Sequence, residues 1–398
     1  MRRAGALVAV AVVLVALWLL GHHRTAKLAR PAQPWLLVYN AVSRDLTLLS
    51  EPERPSGARV LLGCLGLPQW ALRVGQRDGQ LVLLDPQARS IVLLSVDALV
   101  RAASGEAACE AVQPRRVPLA SAQLPYRGVL DGNRLYVSYF SGNLVEAYDW
   151  VGGAAPTFRP AFTLRFAHPE SLGLSDVLVS GDTLLVAASG YFCYSRSCPE
   201  GHFRAPHLFF VDRNGAAKWP FPEARPANVN SSGLFRSAGG ALFVINSGDY
   251  GGGYGSLQRV HDDRTLGAEI RLPRAAAPGS AFALDRNTFI VLQLSGEHVF
   301  FVDAAGERLR RIARFDGGGF VDVPLAAAAL PDRSSSDLQD VTRDPAAAGR
   351  FFFVDAKREQ LVHVEYDPAG AALRVLGTTS LGTAAYRSSP AWAVWLER

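Results

Sequence analysis

The 398-residue sequence has little lysine, a single methionine and almost no helical periodicity. Lysine occurs at three positions, so arginine carries nearly all of the positive charge; together with abundant alanine this bias indicates a GC-rich bacterial genome. Short helical turns are predicted only at residues 96–103 and 324–330. Because a parallel α/β sheet needs a helix between consecutive strands, the shortage of helices excludes that class of fold.

Motifs of common enzyme classes are also missing. The sequence contains no G-x-S-x-G nucleophile turn, no H-E-x-x-H metal motif and no CxxC pair, and its eight histidines are scattered. These motifs place a nucleophile or a metal at a fixed spacing, so their absence removes the usual sequence evidence for a hydrolase or a zinc site.

The body of the chain has no excess of charge of either sign. Residues 1–30 carry five basic residues and no acidic one, which leaves 36 basic against 36 acidic residues in the rest. The formal net charge of +5 therefore belongs to the N-terminus. A neutral body offers no bulk electrostatic attraction to nucleic acid, and no nucleic-acid partner is expected.

The N-terminus carries a targeting signal. Arg2 and Arg3 precede an apolar run over residues 4–20, which is at the lower limit for crossing a bilayer. Arg24 and Lys27 occupy the −3 positions of the two candidate cleavage sites, which makes both sites poor. We interpret residues 1–30 as an uncleaved signal-anchor, with a cleaved signal peptide as the alternative. Residues 31–398 are then expected on the periplasmic or extracellular side of a bacterial membrane.

Four cysteines fit an oxidising compartment: Cys64, Cys109, Cys193 and Cys198. An export signal combined with an even number of cysteines favours disulfide bonds. We predict a Cys193–Cys198 bond within a polar loop first, and a Cys64–Cys109 bond second. Four free thiols are the alternative.

An internal repeat indicates the fold. Six segments share a short strand, a Gly/Asp/Asn turn and a strongly apolar strand, and a third and a fourth strand follow. The equivalent positions recur every 48 to 59 residues, at Ala71, Gly128, Asp176, Gly233, Ala281 and Asp340. Four strands per unit at this period are typical of the blades of a β-propeller.

The two ends of the chain complete the blade count. Residues 34–63 supply three strands without a leading strand, and residues 391–396 form one apolar strand that is left over. Pairing them gives an all-β, seven-bladed β-propeller of four-stranded blades, closed by the C-terminal strand, with one N-terminal hydrophobic helix. Such closure removes the exposed sheet edges that invite aggregation.

One segment carries a family likeness. Residues 242–257 form a strand that ends in an Asn-Ser step and continues through a glycine-rich loop. The segment resembles the YVTN-type β-propeller family, in which a Ser-Val-Ser-Val-Ile-Asp strand follows; here Val260-His261 stands at the Ile-Asp step. The resemblance implies an exported seven-bladed scaffold and transfers no catalytic residue.

Candidate site residues follow from the propeller geometry, because inner strands line the channel and binding sites lie on loops. Loops and strands at the channel entrance carry Arg127, His168, Glu170, Asp176, Asn230, Asp337 and Asp340. A desolvated carboxylate needs an ion-pair partner or a cation, so four of these residues are candidates for a Ca²⁺ or Mg²⁺ site: Glu170, Asp176, Asn230 and Asp340. The alternative is that the two aspartates bond to neighbouring strands or to Arg127.

The two longest loops of the same face span residues 189–206 and 246–256. The first holds several aromatic residues and the Cys193–Cys198 pair, and the second holds Asp249, Tyr250 and Tyr254 among glycines. Exposed aromatics on such loops suit ligand or protein recognition, whereas the alternative is that they pack over the blades.

Together these features predict a non-catalytic cell-envelope propeller. It is expected to bind a protein partner or a surface polymer through the long-loop face, without a cofactor, and to attach to the membrane through residues 4–20. The alternative function is a divalent-metal-dependent propeller hydrolase of the lactonase or strictosidine-synthase type, with Ca²⁺ or Mg²⁺ in the channel.

Overall fold

The computed structural model describes residues 34–54, 59–168, 171–191, 201–249, 253–326, 329–330, 334–382 and 390–397. Within them, 29 strands form seven antiparallel sheets, six of four strands and one of five. This arrangement is the predicted seven-bladed β-propeller. The predicted N-terminal helix lies outside the described residues, and no helix within them is long and apolar enough to cross a membrane.

In chain order the strands are β1 (Leu36–Asn40), β2 (Asp45–Leu49), β3 (Arg59–Leu62), β4 (Leu72–Arg77), β5 (Gln80–Asp85), β6 (Ser90–Ser95), β7 (Arg115–Pro118), β8 (Pro125–Asp131), β9 (Arg134–Tyr139), β10 (Leu144–Val151), β11 (Thr157–Arg165), β12 (Leu174–Ser180), β13 (Thr183–Ala188), β14 (His207–Asp212), β15 (Glu223–Ala224), β16 (Ser231–Arg236), β17 (Leu242–Asn246), β18 (Tyr254–Val260), β19 (Ile270–Arg274), β20 (Pro278–Ala283), β21 (Thr288–Gln293), β22 (His298–Asp303), β23 (Arg308–Phe315), β24 (Phe320–Val323), β25 (Leu338–Arg343), β26 (Arg350–Asp355), β27 (Gln360–Asp367), β28 (Ala372–Ser380) and β29 (Pro390–Trp395).

The blades follow the chain. Blade 1 pairs β29 with β1–β3, and blades 2 to 5 are β4–β7, β8–β11, β12–β15 and β16–β19. Blade 6 is β20–β24 and blade 7 is β25–β28. The inner strands, which line the channel, are therefore β29, β4, β8, β12, β16, β20 and β25.

Burial along the strands explains the sequence pattern. In blade 2, β5 is buried except for its first residue and β6 except for its last, since neighbouring blades cover both of their faces. Such strands appear in the sequence as continuous apolar runs. The inner strand β4 is only half-buried because it borders the channel, and it accordingly carries Arg73, Gln76 and Arg77.

Blade 1 closes the ring with both chain ends. β29 pairs with β1 along its whole length, from Leu36 opposite Trp395 to Asn40 opposite Pro390. The Trp392 ring stacks on Tyr39 with 5.0 Å between centroids, and its indole N–H donates to the carbonyl of Ala71 in blade 2. The C-terminal strand therefore also ties blade 1 to its neighbour.

An α-helix interrupts the propeller pattern in blade 2. α1 (Val96–Ala103) lies between β6 and β7, is capped by the Ser95 hydroxyl and buries Leu99 and Val100. A 3-10 helix at Cys109–Ala111 follows, and Cys109 forms a disulfide with Cys64, one of the two predicted bonds. The predicted turn at residues 96–103 is therefore a helix.

In the described part of the predicted helical turn at residues 324–330, residues 325–326 form a turn, and a β-bridge follows instead of a helix. There Ala329 forms a parallel β-bridge with Arg274 of blade 5, and Leu330 donates its N–H to the same residue. The segment follows β24, the fifth strand of blade 6, and reaches the outer strand β19 of blade 5 at these two residues. This contact with the last residue of β19 satisfies the backbone N–H of Leu330.

Candidate binding site at the channel mouth

A cavity of about 350 Å³ opens where the inner strands begin. Counting described residues alone, six of the seven blades contribute to its wall. Its lining also includes residues from the connections between second and third strands, so it opens on the face that carries the two longest loops. The lining residues are Tyr39, Trp70, Ala71, Leu72, Arg73, Tyr126, Arg127, Ser232, Ser247, Pro278, Gly279, Ser280, Gln293, Leu294, Ser295, Leu338, Gln339, Asp340, Ala391 and Trp392.

A ring of β-bulges shapes this mouth. Near the start of each inner strand, the ladder to the second strand of the blade contains an extra, unpaired residue. Examples are Tyr126 in blade 3 and Gln339 in blade 7. Equivalent shifts occur in the other five blades. A bulge bends the strand and re-aims the extra side chain. In blades 1, 3, 5, 6 and 7 the bulged residues line the cavity: Ala391, Tyr126, Ser232, Gly279, Ser280 and Gln339.

Large apolar side chains stand exposed on the rim. Trp70 is 57% exposed, Leu294 is 52% exposed and Tyr126 is 41% exposed. These residues come from blades 2, 6 and 3, so they surround the opening instead of forming one flank. Aromatic side chains left exposed around a cavity are typical of recognition surfaces.

An aromatic chain connects the rim to the first long loop. The Tyr126 ring lies 4.9 Å from that of Phe140, which lies 5.6 Å from that of Tyr191. Tyr191 in turn contacts Phe203 at 5.1 Å and pairs with it through a β-bridge. Tyr191 and Phe203 are buried, so the aromatics at the base of this loop pack over the blades while Tyr126 keeps its exposed surface.

Arg73 and Asp340 form an ion pair in the cavity wall. One guanidinium nitrogen of Arg73 lies 2.8 Å from an Asp340 carboxylate oxygen and a second lies 3.3 Å from the other oxygen. Asp340 also accepts from the Ala393 N–H, and Arg73 donates to the Ala393 carbonyl. The predicted channel aspartate is thus held by an arginine two blades away along the ring, with β29 between them.

Asp176 is held by backbone amides in a different junction. Its carboxylate accepts from its neighbour Val177 and from Leu234 of blade 5, each at 2.8 Å. Burial raises the pKa of Asp176, and the positive charge of Arg127 and the two amides oppose that shift. Asp176 and Asp340 therefore bond to neighbouring strands, which is the alternative to metal binding.

Arg127 differs from Arg73 in having no bonded partner among the residues that the structure describes. It is exposed on the rim, and its guanidinium carbon lies 5.8 Å from the centroid of the Tyr126 ring. Asp176 acts on it through charge alone, without a contact of ion-pair length. Arg127 is consequently a cation at the cavity mouth with unused donors.

The predicted residues of the second long loop fall into separate roles. Asp249 bonds to the ring and to the backbone N–H of His202, at 2.7 and 2.8 Å, and so links the two long loops. Tyr254 packs under Arg271 and contacts Glu269. Asn230 is buried with φ +59° and donates to the Gly248 carbonyl, which supports the loop from inside.

Two further predicted residues are not among those that line the cavity. His168 packs beside the rings of His207 and Trp219 in blade 4. Asp337 accepts from the Gln339 amide, and burial raises its pKa, with Asp355 adding to the shift.

The remaining predictions are not placed by the structure, since Glu170, Tyr250, Cys193 and Cys198 lie outside the described residues. Among the described residues, no group of three or more His, Cys, Asp or Glu side chains is arranged to hold a metal ion.

Sequence reasoning missed the rim residues Trp70 and Leu294 and most of the polar wall. A signal for the wall existed in the repeat itself. The residue immediately before the repeat position lines the cavity in five of six repeats: Trp70, Arg127, Ser232, Ser280 and Gln339. Leu294 lies on a connection between strands and has no such periodic signal.

Comparison with known proteins supports the fold. No protein-family model matches the chain, and no curated protein sequence matches it. A putative 6-phosphogluconolactonase from Bacteroides fragilis superposes with a TM-score of 0.57 at 13% identity, covering 92% of this chain and 98% of that one. A streptogramin B lyase matches with a TM-score of 0.52 at 12% identity, covering 81% and 85%.

A third solved structure, the hydrazine synthase of Kuenenia stuttgartiensis, matches with a TM-score of 0.52 at 12% identity, covering 80% of this chain and 88% of that one. Identities this low carry no shared activity. What the chain shares with these proteins is the fold, here a seven-bladed β-propeller closed by its C-terminal strand.

Proposed function

We propose that this protein is a non-catalytic binding propeller that takes a protein partner at the channel mouth. The observation that carries the proposal is the exposed set of Trp70, Tyr126 and Arg127 around the 350 Å³ cavity. Trp, Tyr and Arg are the residues most enriched where protein interfaces concentrate their binding energy, and such residues act next to pockets. A rigid ring of blades holds them in place before binding, which lowers the entropy lost on association.

The long loops extend this site. The aromatic chain from Tyr126 to Phe203 and the Asp249–His202 link connect both loops to the rim. A partner seated over the mouth would therefore contact the rim and the loops as one surface. The site alone is small, and a stable protein interface needs roughly 800 Å² from each side.

We further propose that binding takes place on the periplasmic or extracellular side of a bacterial membrane, with the chain anchored by residues 4–20. The Cys64–Cys109 disulfide supports this, because disulfides persist in oxidising compartments. The likeness of residues 242–257 to the exported YVTN-type propellers supports it as well.

Site-specific photo-crosslinking in the source cells tests the proposal. A photoreactive phenylalanine analogue replaces Leu294 on the rim; the matched control position is Leu61, which is 45% exposed on the outer strand β3. We expect a discrete protein adduct from position 294 and none from position 61. In the same background, Trp70→Ala and Tyr126→Ala should each weaken the adduct about tenfold, as for hot-spot residues.

Two results would contradict a protein partner. Equal adducts at both positions would show non-specific contact, and an adduct that glycosidases reduce to the mass of the propeller alone would assign the mouth to a surface polymer. The proposed binding needs no cofactor. Calcium or magnesium binding to the purified protein, measured by calorimetry, would instead favour the metal-dependent hydrolase.

A further inference from the structure

We propose that the channel mouth recognises a carboxylate group through Arg127, with an apolar group beside that carboxylate held by Trp70 and Tyr126. The inference rests on the proposed binding function and names the chemistry that the partner must present. Such chemistry occurs at the C-terminus of a peptide whose last residue is apolar, and also at an acidic side chain next to an apolar one.

The charges at the mouth favour an anion. Of the charged side chains that line the cavity, Arg73 and Asp340 neutralise each other in an ion pair, and Asp340 is also bonded to the Ala393 N–H. The nearby carboxylate of Asp176 acts on Arg127 through charge, but it makes no contact of ion-pair length with Arg127 and is held instead by two backbone N–H groups. Arg127 is left as the lining cation without a bonded acceptor among the described residues.

Arginine geometry narrows the anion to a planar one. A guanidinium presents two parallel N–H donors that match the two oxygens of a carboxylate, and this bidentate pairing is stronger than a neutral hydrogen bond. The guanidinium carbon lies 5.8 Å from the centroid of the Tyr126 ring, a cation–π contact that leaves the N–H donors of Arg127 without a bonded acceptor among the described residues.

The rest of the cavity fits a small apolar group with polar surroundings. Trp70 is exposed at the entrance to blade 2, which neighbours the blade that carries Arg127. Its large ring can cover an apolar side chain of the ligand. Across the channel, blade 6 contributes the exposed residues Ser280 and Ser295. A volume of about 350 Å³ lies at the lower end for ligand pockets, which suits one terminal residue and not a long segment.

Peptide pairs that differ only in charge test the inference on the full-length protein. The probes are Ac-Ala-Ala-Phe with a free carboxylate, the same peptide with a C-terminal amide, and Ac-Ala-Glu-Phe amide. Isothermal titration calorimetry should show the free acid binding about tenfold or more tightly than the amide, as for a charge-assisted hydrogen bond. The Glu peptide separates a chain terminus from an acidic side chain as the source of the carboxylate.

Variants assign the preference to one residue. Arg127→Gln should bind acid and amide equally, and Arg127→Lys should keep part of the preference, since lysine keeps the charge but loses the planar fork. Arg159→Gln is the matched control, because Arg159 is exposed on β11, the outer strand of the same blade. The thermal unfolding midpoint of each variant checks that the fold is intact.

The inference is overturned by equal affinity of acid and amide for the unmodified protein, by a preference that survives Arg127→Gln, or by no saturable binding of any probe at millimolar concentration. These results are independent of the partner itself. An adduct at position 294 that persists in Arg127→Gln would keep the protein partner and reject recognition of a carboxylate. Tighter binding of the acid than of the amide, without any adduct, would keep recognition of a carboxylate and reject the protein partner.

Discussion

Single residues in the channel wall connect blades that are far apart in sequence. Arg73 in β4 bonds to Asp340 in β25 and to the carbonyl of Ala393 in β29, so that three inner strands converge on one guanidinium. The pair is separated by 267 residues and is mostly shielded from solvent on the aspartate side. The ion pair therefore stabilises the closed ring and also shapes the cavity wall.

Replacing Asp340 with alanine should destabilise the protein by about 2–3 kcal/mol, because it leaves Arg73 unpaired and removes the acceptor of the Ala393 N–H. Urea unfolding followed by circular dichroism measures the difference. Asp322→Ala is the control: Asp322 pairs with Arg311, but its side chain is 70% exposed, so the loss should stay below about 1 kcal/mol. Equal losses would show that the Asp340 pair has no special place in closure.

Asp176 makes stability depend on pH. Burial holds the pKa of its carboxyl above the usual range in the folded state, so the folded protein binds this proton more tightly than the unfolded chain does. Its contribution to stability therefore falls as pH rises from about 4 through the raised pKa, and is constant above it. The unfolding free energy of the unmodified protein relative to Asp176→Asn should decrease over that window. A difference that rises with pH, or stays flat, contradicts the shift.

At the level of elements, the strands were predictable and the bulges were not. Second and third strands are buried on both faces, so they appear in the sequence as continuous apolar runs that recur at a regular spacing. The bulge in each inner strand has no comparable sequence pattern, because the extra residues Tyr126, Ser232 and Gln339 share no side-chain chemistry. Nor could the Arg73–Asp340 pair be predicted, since its partners meet only after the ring has closed. The position of the site followed from the repeat, whereas its chemistry needed the structure.

The α1 segment shows how a covalent bond supports an irregular element. The Cys64–Cys109 disulfide spans a sequence separation of 45 residues and fixes the 3-10 helix after α1 to the chain that enters blade 2. A loop of that length predicts a stabilisation of about 4 kcal/mol from the lost entropy of the unfolded chain. We expect a Cys64→Ser/Cys109→Ser variant to lose about 2–4 kcal/mol in urea unfolding.

A second double variant, Cys193→Ser/Cys198→Ser, separates the general effect of thiol removal from that of this bond. If these two cysteines form the predicted short-loop disulfide, thiol titration of the unmodified protein under denaturing conditions finds no free thiol. Unchanged stability of the Cys64→Ser/Cys109→Ser variant would show that the helix and its surroundings hold without the bond.

On the scale of the whole molecule, the fold is a ring whose last strand is also its first inner strand. β29 supplies Trp392 to the core of blade 1 and backbone carbonyls to Arg73 and Gln76 of blade 2. Without it, β1 would expose a sheet edge to the channel, and the inner strands of blades 7 and 2 would lose the strand that lies between them. The two ends of the chain must therefore meet before the channel and its mouth exist, which makes the site a property of the closed ring.

Removal of residues 390–398 should consequently prevent folding, instead of costing only the contacts of one strand. The change takes away a whole inner strand, including the buried Trp392 and Trp395, and opens an unpaired edge on β1. We expect the shortened protein to elute as aggregate in size-exclusion chromatography and to lack a cooperative unfolding transition, whereas removal of residues 1–33 leaves a monomer that unfolds cooperatively. Adding a peptide of residues 390–398 should restore part of the transition, because antiparallel pairing with β1 needs no covalent link. A shortened protein that unfolds cooperatively without the peptide would show that six blades and a three-stranded seventh are enough, and ring closure would then not be the source of stability.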